Sequence, residues 1–143
     1  MLVKHILREK GREVVTIPGD AILSEAAQLL ARRRIGAVIV QNRDGAISGI
    51  LSERDIVRAV AEHSVAALGH SVAAHMTREV STCCETDTVD ELMETMTSGR
   101  FRHMPVVDGD RLCGIVSIGD VVKSRIEETV REATSLREYI IAG

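Results

Sequence analysis

Two rhythms of apolar residues run along this chain, and each occurs twice. Leu23, Ala26, Ala27 and Leu30 recur at i, i+3, i+4 and i+7, and Val89, Leu92, Met93 and Met96 repeat those steps. Such a stripe predicts an amphipathic helix. Ser24 with Glu25, and Asp90 with Glu91, place hydroxyl or acidic groups near the positive helix ends. Val- and Ile-rich runs follow, Ala37–Gln41 and His103–Val107, and predict strands. The turns "NRDG" and "DGD" carry the Asp-Gly pair that suits hairpins. Second strands are expected over Ile47–Leu51 and Leu112–Val116, then helices over Ile56–Ala61 and Val121–Ile126. A short strand is expected before each copy, at Val14–Ile17 and Val80–Cys83. The predicted unit is β-α-β-β-α.

Val14–Val60 and Val80–Ile126 align at an offset of 66 residues through the first helix, falling to 65 after the turn. The chain is therefore one unit written twice. A three-stranded sheet with helices on one side leaves its other face bare. The predicted fold is α/β (α+β), with two pseudo-twofold-related repeats packed sheet to sheet and an extended C-terminal helix. The expected division is repeat 1 with its N-terminal lead-in over 1–66, a linker and lead-in helix over 67–79, repeat 2 over 80–126 and a helical extension over 127–143. "LVKHILR" and "SVAAHMT" resemble each other and suggest a lead-in helix for each copy. In the extension, Ile126, Val130, Ala133, Arg137 and Ile140 share a face, expected to pack on the module or on a second protomer.

Composition narrows the partners. Of 143 residues, 45% are hydrophobic, yet there is one Phe, one Tyr and no Trp, so the core is aliphatic and stacking platforms for single-stranded nucleic acid are missing. A net charge of −3 gives no global attraction for nucleic acid or anionic lipid. No apolar run reaches the roughly 20 residues that span a bilayer, and the N-terminus turns charged too early for a secretory signal. A cytoplasmic protein is expected, with no nucleic-acid or membrane partner. Cys83, Cys84 and Cys113 lack CxxC or Cys/His metal spacing and read as small residues lining strands. The five histidines are scattered, and no metal site is expected. GxSxG, Walker A, GxGxxG and HExxH are all missing, so no catalytic residues are assigned and an enzyme is not expected.

One phrase carries the candidate chemistry. "GILSERD" (49–55) and "GIVSIGD" (114–120) each close a hairpin with Ser-x-x-Asp. Taken structurally, Ser is an N-cap worth about 1 kcal/mol and Asp favours the helix dipole. Taken functionally, a hydroxyl and a carboxylate one helical turn apart hold a ligand. With "HMPVVD" in copy two, this repeated pattern resembles a tandem cystathionine-β-synthase (CBS) domain pair, or Bateman module, of the small stand-alone bacterial type. The likeness runs from about Val3 to Ile126.

The resemblance implies a regulatory sensor, energy- or redox-sensing, that binds an adenosine-containing ligand in clefts between the repeats. AMP is the first choice, with NAD(H) or ATP next. It implies that Asp55 and Asp120 receive ribose hydroxyls, with Ser52 and Ser117 beside the sugar or phosphate. Thr16 and Thr82 would lie against the adenosine, and Ile17, Ala37, Val38 and Met104 around the adenine. Arg102 and His103 would contact phosphate, with Pro105 fixing the strand entry and Arg54 a second phosphate candidate. Copy one has Gly36-Ala37 where copy two has Arg102-His103, and Gly119 stands opposite Arg54, so the two sites are expected to be unequal. A homodimer, as a disc of four repeats, and an unidentified regulated protein are also implied. The alternative is a ligand-independent interaction or scaffold module in which Ser-x-x-Asp only caps helices.

Overall fold

In a computed structural model that describes residues 1–142, the order is α1 (Val3–Lys10), β1 (Thr16–Pro18), α2 (Leu23–Arg33), β2 (Ala37–Gln41), β3 (Ile47–Ser52), α3 (Glu53–His63), a 3-10 turn (Ser64–Gly69), α4 (Val72–His75), α5 (Val89–Gly99), β4 (His103–Asp108), β5 (Arg111–Ser117) and α6 (Ile118–Ala142). The protein is mixed α+β, with two small sheets and a long terminal helix. Both copies of the predicted helix end alike: Arg34 and Arg100 each adopt a left-handed conformation, at φ 55° and 56°.

The first sheet has the order β1-β2-β3, with β1 parallel to β2 and β3 antiparallel. The second departs from expectation. It contains only β4 and β5, and the run Val80–Cys83 contributes one parallel bridge, Cys83 to Val106. Proline explains the shortfall. Cys83 N–H donates to the Pro105 carbonyl at 3.0 Å, and Val107 N–H donates to the Cys83 carbonyl at 2.8 Å. The next rung would need an N–H on Pro105, which has none. In copy one the corresponding residue is Ile39, whose N–H reaches the Val15 carbonyl at 3.2 Å.

The chain forms two compact units. One comprises Met1–Arg12, Thr82–Asp108 and Cys113–Gly143; the other comprises Glu13–Ser81 and Gly109–Leu112. These units cut the chain differently from its sequence copies. Helix α1 precedes copy one but belongs with copy two, and α4 precedes copy two but belongs with copy one. Leu7 of α1 is buried in a core with Leu92, Met96, Met104 and Val116. Val72 of α4 is buried with Leu23, Leu30, Val38 and Leu51.

The glycine of each repeated phrase makes this packing work. A Cβ on Gly114 would come within 2.8 Å of the Leu7 side chain. A Cβ on Gly49 would come within 2.7 Å of both Met76 Sδ and the Thr77 carbonyl oxygen. That carbonyl accepts from Ile50 N–H, and Thr77 N–H returns a bond to Ile50, both at 2.9 Å. So each lead-in lies directly on a hairpin glycine.

The C-terminal extension is continuous with the last repeat helix, as one 25-residue α6. Val121 is buried in the core, whereas Ile126, Val130 and Ile140 are exposed. Cys83 is buried and Cys113 half-buried, but Cys84 is exposed rather than turned into the packed interior. Burial, with the charges of Asp87 and then Cys84, pushes the Cys83 thiol up to about 12.

Candidate functional site

Each Ser-x-x-Asp starts its helix where a hairpin strand ends. Ser52 pairs with Ala37 across the β2–β3 ladder, and Glu53 N–H donates to the Gly36 carbonyl at 3.0 Å. In copy two, Ile118 N–H donates to the Arg102 carbonyl at 2.7 Å. The backbone therefore brings Gly36-Ala37 beside Ser52, and Arg102-His103 beside Ser117.

Both motifs close on themselves. Ser52 N–H donates to Asp55 Oδ2 at 2.9 Å, and Asp55 N–H donates to Ser52 Oγ at 3.4 Å. Ser117 N–H donates to Asp120 Oδ2 at 2.9 Å, and Asp120 N–H donates to Ser117 Oγ at 3.2 Å. These are capping boxes with Asp in the role usual for Glu.

Beyond the shared cap, the two carboxylates differ. Asp55 is 6% exposed. The Thr77 hydroxyl donates to its Oδ1 at 3.2 Å, the Ser52 hydroxyl to its Oδ2 at 3.2 Å, and Arg58 lies 3.7 Å from Oδ1. Both oxygens are engaged. Asp120 is about a quarter exposed, and Lys10 Nζ bonds its Oδ2 at 2.6 Å while also donating to the Ile115 carbonyl at 3.0 Å. Oδ1 takes none of these bonds. Burial works to raise the Asp120 carboxyl, but the Lys10 hydrogen bond, the Ser117 backbone N–H and the ammonium charge outweigh it and hold the carboxyl below its ordinary value.

The other candidates divide by exposure. Ile17 and Val38 are buried in the core of the first repeat, and Met104 in that of the second. Ala37 and Pro105 are also buried. Thr16, Thr82, Arg54 and Arg102 are exposed, and Ser52, Ser117 and His103 are half-buried. Thr82 adjoins Cys83, which bridges Val106 in the middle of β4.

Three features escaped the sequence reading. Lys10 and Thr77, each supplied by a lead-in segment, grip the two aspartates. Their only signal was the likeness of "LVKHILR" and "SVAAHMT", which does not place either residue. In addition, His63, His70 and His75 converge although no familiar metal spacing links them.

Two repeats of one helix–hairpin–helix plan, the first with a third strand and the second with a single bridge in its place, each end the hairpin in a capped Ser-x-x-Asp helix start and define a tandem-repeat module. The CBS domain family model matches residues 3–62 and 71–127, and the chain belongs to that family. It is 52% identical to the CBS-domain protein ATU1752 from Agrobacterium tumefaciens, with a TM-score of 0.85 over 87% of this chain and 92% of that one. The CBS domain pair of MJ0100, solved with 5-methylthioadenosine and S-adenosyl-L-methionine, is 28% identical, with a TM-score of 0.80 over 90% of this chain and 98% of that one. PAE2072 from Pyrobaculum aerophilum, complexed with AMP, is 31% identical, with a TM-score of 0.75 over 84% and 89%. Among curated proteins, the mitochondrial CBSX3 of Arabidopsis thaliana is 28% identical over 99% of this chain and 72% of its own length.

Proposed function

We propose that this protein is a non-catalytic regulatory module that binds an adenosine-containing ligand and reports it by a conformational change. The reading is carried by the bound AMP of PAE2072 and the bound adenosyl compounds of MJ0100, two proteins of the same fold at 31% and 28% identity. AMP is the first candidate, followed by NAD(H) and ATP. Asp120 is the better ribose acceptor of the two aspartates, because it is partly exposed and both Lys10 Nζ and Ser117 N–H bond the same oxygen, Oδ2. A carboxylate there accepts vicinal hydroxyls through charge-assisted bonds, each worth roughly 1.5–3 kcal/mol. Exposed Arg102, one strand away from Ser117, and Arg54 offer planar donor forks suited to phosphate. A ligand shifts the conformation only by its differential affinity for two states. Thr16, Thr82 and the half-buried His103 complete the proposed contacts, and a homodimer is the proposed assembly.

The test is titration with AMP, NADH, ATP and S-adenosylmethionine, followed by calorimetry and thermal unfolding. AMP should raise the melting temperature, and Asp120→Asn should remove the rise. No heat and no shift with any of these compounds would overturn the proposal. That outcome would leave the second reading, a ligand-independent interaction module, which the closed capping boxes and the engaged Asp55 favour. Light scattering after size exclusion tests the dimer separately.

A further inference from the structure

We infer that His63, His70 and His75 form a binding site for a divalent transition-metal ion, of which zinc is the best match. The inference is independent of the nucleotide reading and concerns different residues. One ligand nitrogen from each ring lies within 4.8 Å of the other two. Nδ1 of His70 and Nε2 of His75 are 2.9 Å apart, and those two rings lie nearly parallel. A tetrahedral zinc with Zn–N bonds of about 2.0–2.1 Å sets its ligand nitrogens about 3.3 Å apart. The cluster brackets that spacing. His63 is exposed and the other two are half-buried, so a turn of the His63 side chain closes the triad.

The backbone holds the rings together from three directions. His63 is the last residue of α3, and the chain reverses at Ser64, a non-glycine residue at φ 55°. His70 is fixed on both sides: its N–H donates to the Ala67 carbonyl at 3.0 Å, and its carbonyl accepts from Leu23 N–H at 2.9 Å. His75 ends α4, whose start is capped by Ser71 Oγ accepting from Ala74 N–H at 3.2 Å. Glu62 lies 3.8 Å from His63 and supplies a negative charge beside the cation. Three imidazoles and no thiolate suit zinc, nickel or copper, and leave one coordination position for water.

The metal would act as a clip. It joins the end of α3 to α4 across the 3-10 turn, and α3 begins at the Ser52–Asp55 cap. His75 stands two residues before Thr77, which bonds Asp55. Bound metal therefore tightens the segment that carries the Thr77–Asp55 contact.

Untagged protein, stripped with EDTA, should be titrated with Zn²⁺ against a chromogenic chelator. One equivalent per chain is expected, with a rise in melting temperature that EDTA reverses. Co²⁺ in its place should give the visible absorption of a low-coordinate nitrogen site. His70→Gln and His75→Gln should each weaken binding by at least about tenfold, within the range seen when a metal site loses a stabilising partner. His63→Gln sits on the surface, so it tests ligation without threatening the fold, and it should weaken binding likewise. His5→Gln should bind as wild type does, because His5 Nδ1 serves as acceptor for Leu2 N–H at the start of α1. Failure of the wild-type chain to take up Zn²⁺ at micromolar concentration would overturn the inference. So would equal binding by wild type and His63→Gln.

Discussion

Replacing each aspartate of the repeated phrase by alanine separates a structural carboxylate from an available one. Asp55→Ala removes the acceptor for Ser52 N–H at 2.9 Å and for the Thr77 hydroxyl at 3.2 Å, at a site only 6% exposed. Hydrogen bonds to a charged group contribute roughly 1.5–3 kcal/mol each. Thr77 is exposed and Ser52 half-buried, so water recovers part of that loss. The Arg58 contact is with an exposed guanidinium and adds little. The expected destabilisation is about 2–3 kcal/mol. Asp120→Ala loses the same kind of cap and a partly exposed pair with Lys10, whose side chains are 34% and 24% exposed. A surface ion pair contributes about 0–1 kcal/mol, so the expected loss is about 1–2 kcal/mol with the cap included. With no tryptophan in the chain, urea unfolding should be followed by circular dichroism at the helix band. A urea slope of about 1–3 kcal/mol per molar places the two midpoints roughly 0.3–1 M apart, Asp55→Ala being the lower. An Asp120→Ala variant that is equally or more destabilised would refute the assignment of Asp55 as the structural carboxylate.

The Lys10–Asp120 pair should also set an acid dependence. The folded carboxyl is held below its ordinary value of 3.8, so its contribution is present in full above that pH and is lost as the pH falls below it. Lys10→Met should narrow the stability difference between about pH 6 and pH 3, measured by urea midpoints at the two pH values; an unchanged difference would count against the pair. Gly49→Ala puts a Cβ within 2.7 Å of the Thr77 carbonyl and should cost about 1–3 kcal/mol by thermal unfolding. Gly114→Ala meets the flexible Leu7 side chain instead and should cost less.

The hydrophobic rhythm was enough to place most elements, because a helix stripe and a strand alternation are local properties of the chain. Strand β2 falls on Ala37–Gln41 as read, and β4 extends the expected run by one residue. The missing third strand of the second sheet was in principle readable from Pro105. Its consequence depended on register, however, since only a pairing that puts residue 105 opposite the Val80–Cys83 run makes the lost N–H matter. The exchange of lead-in helices was not readable. The two lead-ins resemble each other only loosely, and nothing in that likeness says which hairpin glycine each will cover.

That exchange changes what the repeated phrase encodes. Its serine and aspartate are a local helix signal, complete within four residues. Its glycine answers to something distant: Leu7 lies over Gly114, and Met76 and Thr77 lie over Gly49. The same distant segments then choose the partner of each aspartate. Lys10, at the end of α1, reaches Asp120, and Thr77, after α4, reaches Asp55. A cationic partner bonds one oxygen of a partly exposed carboxylate, whereas hydroxyl partners engage both oxygens of a buried one. Thus two heptads with the same Gly, Ile, Ser and Asp acquire different chemistry from segments outside them. The inequality expected from Arg54 against Gly119 and Arg102-His103 against Gly36-Ala37 is joined by a second one, in the aspartates themselves, that comparison of the two copies could not supply.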